Sequence, residues 1–249
     1  MKQLCGRGYG LPYGSPGYGK VLIIAVLMAG IALLYLVFSI ALKSVYAGEI
    51  QQADTVLNAD SESRVIPVYF DSYTDGQNKT FEMVMDDDWF DASAEEYNHK
   101  LAQLSMCMAI SAFRPSSVSD AAIDPDKHLE EFLTEAGFTN LRSDDYDKNP
   151  SPYTVATVIG SQVLADEDGP YTLVACGVCG GRYKNEWMSN FTIGTDARHK
   201  GFNDSALHVE DRIFGYIAQN GITGRIKLWI SGFSRGGAIS NIVAADMVD

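Results

Sequence analysis

The amino-acid sequence predicts an α/β domain, a sheet with flanking helices, that is preceded by an N-terminal transmembrane helix. Three observations carry this prediction. Residues 21–42 form an apolar run without a charge, β-rich segments separated by turn residues occupy the middle of the chain, and the C-terminal part alternates strand with helix. Antiparallel strands followed by the order strand–helix–strand–helix are typical of an α/β sheet.

The apolar run at residues 21–42 is long enough to cross a membrane. A helix rises about 1.5 Å per residue, so this length spans a hydrocarbon core of about 30 Å. Three basic residues precede the run, which predicts a short cytoplasmic head at residues 1–20 and an extracytoplasmic remainder. The alternative is a secretory signal cleaved after Ala47, although the apolar part of a signal peptide is usually about 7–15 residues.

Beyond the membrane segment the chain divides into a polar tether at residues 43–64 and one domain at residues 65–249. The protein has a net charge of −13, and residues 1–48 contain basic but no acidic residues. The negative charge therefore belongs to the rest of the chain. Such an acidic domain is a poor partner for nucleic acid or for an anionic membrane surface.

Hydrophobic periodicity and turn residues predict the elements of the domain in chain order. They are strands at 65–70 and 79–85, a long helix starting at the capping box Ser93-Ala94-Glu95-Glu96 and running to Phe113, a helix at 125–136 capped by Asp124 and ended by Gly137, a hairpin of strands 154–164 and 171–179, a helix at 206–217, a strand at 225–231 and a helix at 237–245.

The most informative motif is Gly232-Phe233-Ser234-Arg235-Gly236, which matches G-x-S-x-G between the last predicted strand and the last predicted helix. In serine hydrolases this setting forms a nucleophile elbow, a sharp turn that holds the seryl oxygen at the edge of a sheet. Gly232 and Gly236 supply the two positions that must be nearly free of side chain. Ser234 is therefore the predicted nucleophile, and an ordinary glycine-rich loop between strand and helix is the alternative.

A triad partner for this serine is not evident in the sequence. In hydrolases with this elbow the order along the chain is Ser, then Asp or Glu, then His. The four histidines all precede Ser234, at positions 99, 128, 199 and 208. Because serine is a poor nucleophile without an adjacent base, we expect this chain to be the N-terminal part of a longer enzyme that supplies the triad Asp and His.

Four segments, in order, resemble the class 3 (fungal-type) lipase family of α/β-hydrolases, in a bacterial-looking form, over about residues 153–249. They are the strand 171–179 running into Gly180-Gly181-Arg182, the segment Glu186-Trp187-Met188-Ser189-Asn190, the segment His199-Lys200-Gly201-Phe202, and the elbow followed by Gly237-Ala238. The resemblance implies an incomplete α/β-hydrolase sheet that lacks the segment with the triad Asp and His. Phe233 stands where the family commonly has histidine, and Arg235 where it has leucine.

The resemblance also implies roles for individual residues. Ser234 would attack an acyl carbonyl, and the backbone N–H groups of Arg235 and Gly181 would bind the resulting oxyanion. The implied substrate is a carboxylic ester or lipid, and no cofactor is implied. His199 is expected to be structural, because the catalytic histidine of the family follows the serine. Asp246 lies three turns along the elbow helix and is not expected to belong to the triad.

Two further groups suggest metal or redox chemistry, but their spacing favours structural roles. Asp86-Asp87-Asp88 lacks the alternate spacing of a calcium loop. Cys176 and Cys179 form C-x-x-C within a strand, where residues i and i+3 face opposite sides, and no second pair completes a zinc site. We therefore expect no metal.

Two other functions remain open, namely another serine acyl hydrolase or acyltransferase on the same fold, and a non-catalytic surface domain.

Overall fold

The computed structural model describes residues 63–72, 77–113, 127–146, 151–181, 186–195 and 198–248. The predicted cytoplasmic head and the predicted membrane segment at residues 21–42 lie outside these ranges. Asp124, Arg182 and nearly all of the predicted tether also lie outside them. No helix within the described ranges has both the length and the apolar character needed to span a bilayer.

The described residues form a mixed α/β structure, which confirms the predicted class at that level. Two short 3-10 turns, Asp87–Phe90 and Glu186–Phe191, accompany the regular elements. In chain order these elements are β1 (Arg64–Asp71), β2 (Asn78–Met85), α1 (His99–Ser111), α2 (Lys127–Glu135), β3 (Thr139–Asp144), β4 (Thr157–Asp166), β5 (Gly169–Val178), α3 (Lys200–Gln219), β6 (Ile226–Gly232) and α4 (Arg235–Val248).

The strands form two sheets. β1 and β2 make an antiparallel hairpin, and the other four strands pair in the order β3-β4-β5-β6. β4 and β5 are the predicted antiparallel hairpin, whereas β5 and β6 run parallel with Val178 opposite Gly232. A parallel pair needs a crossover, and α3 supplies it. The carboxyl ends of β5 and β6 therefore lie side by side, so the segment after β5 meets the turn after β6.

Helices cover both faces of the four-stranded sheet. On one face α1, α2 and the β1–β2 hairpin build a core around Phe132, Leu173 and Trp229. On the other face α3 and α4 pack through Tyr216 and Ile239 against neighbouring strand residues. The first half of β4 and most of β5 are covered on both sides, so these stretches are buried at consecutive positions, whereas the second half of β4 alternates.

The start of α1 was predicted wrongly. The segment Ser93–Glu96 forms a separate turn in which Glu96 N–H donates to the carbonyl of Ser93 over 3.1 Å. The helix begins at His99, and the side chain of Asn98 accepts from the N–H of Leu101 over 3.1 Å. An Asn in this position satisfies one of the free N–H groups of the first turn, which is why it replaces the predicted cap.

The start of α3 was also predicted too late, and β3 was not predicted. α3 begins at Lys200 rather than at residue 206, because His199 caps it and Gly201 packs against Ser189 of the preceding 3-10 turn. A Cβ on Gly201 would lie 2.0 Å from the carbonyl oxygen of Ser189. β3 is a polar edge strand that pairs only with β4 and has no buried residue. Its sequence therefore lacks the alternation of apolar and polar residues from which a strand could be predicted.

Candidate active site

The turn between β6 and α4 consists of Phe233 and Ser234 alone. Ser234 is exposed and has a φ of 52°, in the left-handed region that is uncommon for residues other than glycine. The other two such residues in the described ranges are Asn140 and Asp145, whose side-chain types enter this region more readily. A serine held in a strained conformation at a sharp strand-to-helix turn is the geometry of a nucleophile elbow.

The two predicted elbow glycines are required by close packing against β5. A Cβ on Gly232 would lie 2.6 Å from the carbonyl carbon of Gly236 and 2.7 Å from the carbonyl oxygen of Val178. A Cβ on Gly236 would lie 2.4 Å from the same Val178 oxygen. None of these three distances is compatible with a side chain, so both positions exclude every residue but glycine unless the backbone moves.

The segment after β5 lies directly beside this turn, as the parallel pairing of β5 and β6 requires. The Cβ position of Gly180 is 3.0 Å from the carbonyl oxygen of Phe233 and 3.6 Å from the Cβ of Ser234. The Cβ position of Gly181 is 3.6 Å from the Cδ of Arg235. Both glycines thus adjoin the elbow, with Gly180 facing the serine and Gly181 facing the residue after it.

Apolar side chains lie beside Phe233 and Gly181, two residues of the segments that meet at the serine. Phe233 packs against Phe113, two residues beyond the end of α1, with 4.4 Å between ring centroids. On the side of Gly181, the indole Nε1 of Trp187 is 3.8 Å from the Cβ position of that glycine. The segment around this tryptophan exposes several large apolar side chains, namely Trp187, Met188, Phe191 and Ile193. The surroundings of Ser234 therefore suit an apolar group better than a charged one.

The side chain of Arg235 is a feature that sequence reasoning missed. Only 3% of the residue is exposed, and its guanidinium hydrogen-bonds to residues of three other segments. Burial lowers the pKa of this guanidinium, and the negative charge of Glu186 opposes that shift. The one signal in the sequence was the presence of arginine where the resembling family has leucine.

His199 has a structural environment, as expected. Its Nε2 is 3.2 Å from the carbonyl oxygen of Asn190, so that nitrogen donates and Nδ1 is left to accept from the N–H of Phe202 over 3.4 Å. The imidazole also stacks on the ring of Phe202. His199 therefore caps α3 and holds the preceding segment in place.

The other three histidines have no hydrogen bond to Ser234 in the described ranges. His128 is buried, with Nε2 3.3 Å from Asp71 Oδ1, and His99 is exposed beside the hydroxyl of Tyr97. His208 is exposed on α3. Within the ranges that the structure describes, no side chain hydrogen-bonds to Ser234 Oγ.

The remaining sequence candidates have structural contacts. Asp246 forms an ion pair with Arg198 through both carboxylate oxygens. Cys176 belongs to the core beneath α3 and α4, whereas Cys179 belongs to the core on the opposite face of the sheet. This confirms that the two cysteines face opposite sides. In the described part of the chain no group of three or more His, Cys, Asp or Glu residues is arranged to hold a metal ion.

Comparisons of the chain with family models, with curated proteins and with solved structures gave no match. The resemblance to class 3 lipases therefore rests on the four motifs, and it stays a prediction.

Proposed function

We propose that this protein is a lipase-like serine carboxylic-ester hydrolase of the α/β-hydrolase type, which forms an acyl-enzyme through Ser234. The observation that carries the proposal is the conformation of Ser234, with a φ of 52° in a two-residue turn between β6 and α4. The strain at this position has a functional explanation, because it exposes the seryl oxygen at the edge of the sheet.

The neighbouring backbone supports the same reaction. Arg235 is the first residue of α4, and N–H groups of the first helical turn have no partner within the helix. The N–H of Arg235 and that of Gly181 are the proposed donors to the oxyanion that forms when Ser234 Oγ attacks an ester carbonyl. Loss of one such donor typically costs about 10²–10³-fold in rate.

The reaction also needs a base, and the described contacts do not supply one. His199 and His128 have other partners, and neither His99 nor His208 is hydrogen-bonded to Ser234. By the resemblance to class 3 lipases, we propose that the base is a histidine, oriented by an aspartate, that follows the serine along the chain. In the isolated chain we expect only the weak residual rate that an oxyanion site and substrate binding provide.

The proposed substrate is an ester with an apolar acyl group, because Phe113 packs on Phe233 next to the serine and Trp187 lies beside Gly181. We further propose that residues 21–42 anchor the protein in the membrane with its acidic domain outside the cytoplasm. Release of the domain by cleavage after Ala47 is the alternative.

Turnover of a short-chain p-nitrophenyl ester by the full-length protein tests the proposal. Ser234→Ala is expected to lose at least about 10³-fold in rate, as for removal of a triad member. Ser240→Ala is the matched control, since Ser240 lies on the same helix and its hydroxyl donates to the carbonyl of Gly236. Equal turnover by Ser234→Ala and the parent would contradict the role of Ser234, and turnover by both at no more than the uncatalysed rate would favour a non-catalytic surface domain.

A further inference from the structure

The guanidinium of Arg235 faces the protein interior although the residue directly follows the exposed Ser234. Its Nε donates to Ser189 Oγ over 3.0 Å, and one terminal nitrogen donates to the carbonyl of Thr154 over 2.9 Å. The other terminal nitrogen donates to the carbonyl of Pro152 over 3.0 Å and to Ser205 Oγ over 2.7 Å. All three guanidinium nitrogens are therefore bonded.

The acceptors belong to three segments that are distant in sequence: the Glu186–Phe191 turn, the segment before β4, and α3. The two serine hydroxyls are oriented to receive the arginine. Ser189 Oγ donates its own hydrogen to the carbonyl of Glu186 over 2.8 Å, and Ser205 Oγ donates to the carbonyl of Gly201 over 3.0 Å. Their oxygens are thus left to accept, so the site is suited to a side chain that only donates.

The cost of burying this charge indicates a specific role. A buried cation is stabilised only when acceptors and an opposite charge compensate for lost water, and here the acceptors and Glu186 do so. The aliphatic part of the Arg235 side chain also lies near Gly180-Gly181, which is called the oxyanion segment because Gly181 is a proposed oxyanion donor. Its Cδ is 3.6 Å from the Cβ position of Gly181. One side chain therefore contacts the Gly181 segment and bonds to the Glu186–Phe191 turn, two neighbours of the serine.

We propose that the side chain of Arg235 is a positioning residue, which holds the Glu186–Phe191 turn and residues 152–154 against the elbow and thereby fixes the oxyanion segment beside Ser234. This inference rests on the proposed function of Ser234. The guanidinium itself points away from the reacting atoms, so it acts through the segments that it holds.

Amide hydrogen exchange of the full-length protein tests whether Arg235 holds the Glu186–Phe191 turn in place. Arg235→Met removes the guanidinium and leaves the hydrogen bond from Ser189 Oγ to the carbonyl of Glu186, and exchange within residues 186–191 is expected to rise at least about tenfold while β4 and β5 stay protected. Lys100→Ala is the control, because it removes an exposed cation on α1. Unchanged exchange at residues 186–191 in Arg235→Met would overturn the proposal; if that variant does not fold, unchanged exchange in Ser189→Ala would do so.

Covalent reaction of Ser234 with a phosphonate ester tests the effect on catalysis. In Arg235→Ala we expect the bond-forming step to slow at least about tenfold, and guanidinium ion at a non-denaturing concentration to restore part of that rate. Urea at the same concentration is the control, since it has a similar shape and no charge. A rate restored no better by guanidinium than by urea would overturn the proposal.

Two further results keep the claims separate. If Arg235→Ala does not fold, the bond-forming rate of Ser189→Ala replaces it, and a rate equal to that of the parent would overturn the effect on catalysis. A parent protein that does not react at Ser234 would overturn the proposed function. The exchange measurement would then still decide whether Arg235 holds the turn.

Discussion

Gly236 at the start of α4 lies against the carbonyl of Val178 at the end of β5, so closely that a Cβ on Gly236 would stand 2.4 Å from that oxygen. Real Cβ atoms do not approach an oxygen to this distance. The elbow is therefore held against the neighbouring strand by backbone contact, and the position of Ser234 relative to the sheet depends on that contact.

Replacement of this glycine is expected to disrupt folding as well as reaction. Gly236→Ala should lower the soluble yield and the melting temperature, because either the elbow or the end of β5 must move. Gly181→Ala is the matched control, since its Cβ would have no neighbour nearer than 3.6 Å. Thermal unfolding followed by circular dichroism measures both variants, and a Gly236→Ala protein as stable as the control would contradict the packing argument.

His199 is expected to matter for stability and not for proton transfer. His199→Ala removes the cap of α3 and should cost about 1 kcal/mol, as for other N-cap losses, whereas His199→Asn keeps a capping oxygen and should cost less. Reaction of Ser234 with a phosphonate ester should stay within about twofold of the parent in His199→Asn. A loss of about 10²-fold or more, the size of a general-base contribution, would show that His199 is the base after all.

Asp166 is expected to stabilise the protein at neutral pH and not in acid. Hydrogen bonds of 2.8 Å from Arg225 hold the pKa of Asp166 below its usual range; burial opposes this shift, and Lys227 adds to it. The stabilisation is present above the ordinary carboxyl pKa and is lost as pH falls through the lowered value. Asp166→Asn should therefore melt below the parent at pH 7, and the difference should shrink in acid.

Asp168→Asn is the control for that comparison, because the Asp168 carboxylate is 77% exposed and 3.8 Å from Arg225. A melting difference between parent and Asp166→Asn that is constant from neutral to acid pH would contradict the assignment.

Glu210 is expected to have the opposite dependence on pH. Burial raises the pKa of Glu210, and the negative charge of Asp246 on α4 raises it further. The folded state then binds more protons than the unfolded state above the ordinary carboxyl pKa, so stability falls as pH rises through that window. Glu210→Gln should melt above the parent at pH 7 and show no gain in acid, with the exposed Glu135→Gln as control. A lower melting temperature at pH 7 would show that the Glu210 carboxylate is stabilising.

The elements that were predicted from the sequence are those whose signals are local. The sharp turn at Ser234 followed from two glycines between an apolar run and a helical pattern, and the β4–β5 hairpin followed from turn residues between two β-rich segments. The adjacency of Gly181 and the elbow followed from the resemblance, and the parallel pairing of β5 with β6 accounts for it physically.

The features that were missed depend on contacts between distant parts of the chain. β3 is a polar strand defined by its pairing with β4, so its own sequence has no strand period. The early start of α3 depends on His199, which is not among the common capping residues. The buried guanidinium of Arg235 depends on Ser189, Ser205 and the carbonyls of residues 152 and 154, and no pattern around residue 235 indicates them.

The central claim is that Ser234 is a nucleophile, and its direct test is covalent capture. The full-length protein is treated with a fluorophosphonate and digested, and the modified peptides are mapped by mass spectrometry. The variants Ser234→Ala and Ser240→Ala are treated in parallel. We predict stoichiometric modification of Ser234 in the parent and in Ser240→Ala, and none in Ser234→Ala. A full-length protein that remains unmodified at Ser234, or modification of Ser234→Ala to the same extent as the parent, would contradict the serine-hydrolase account.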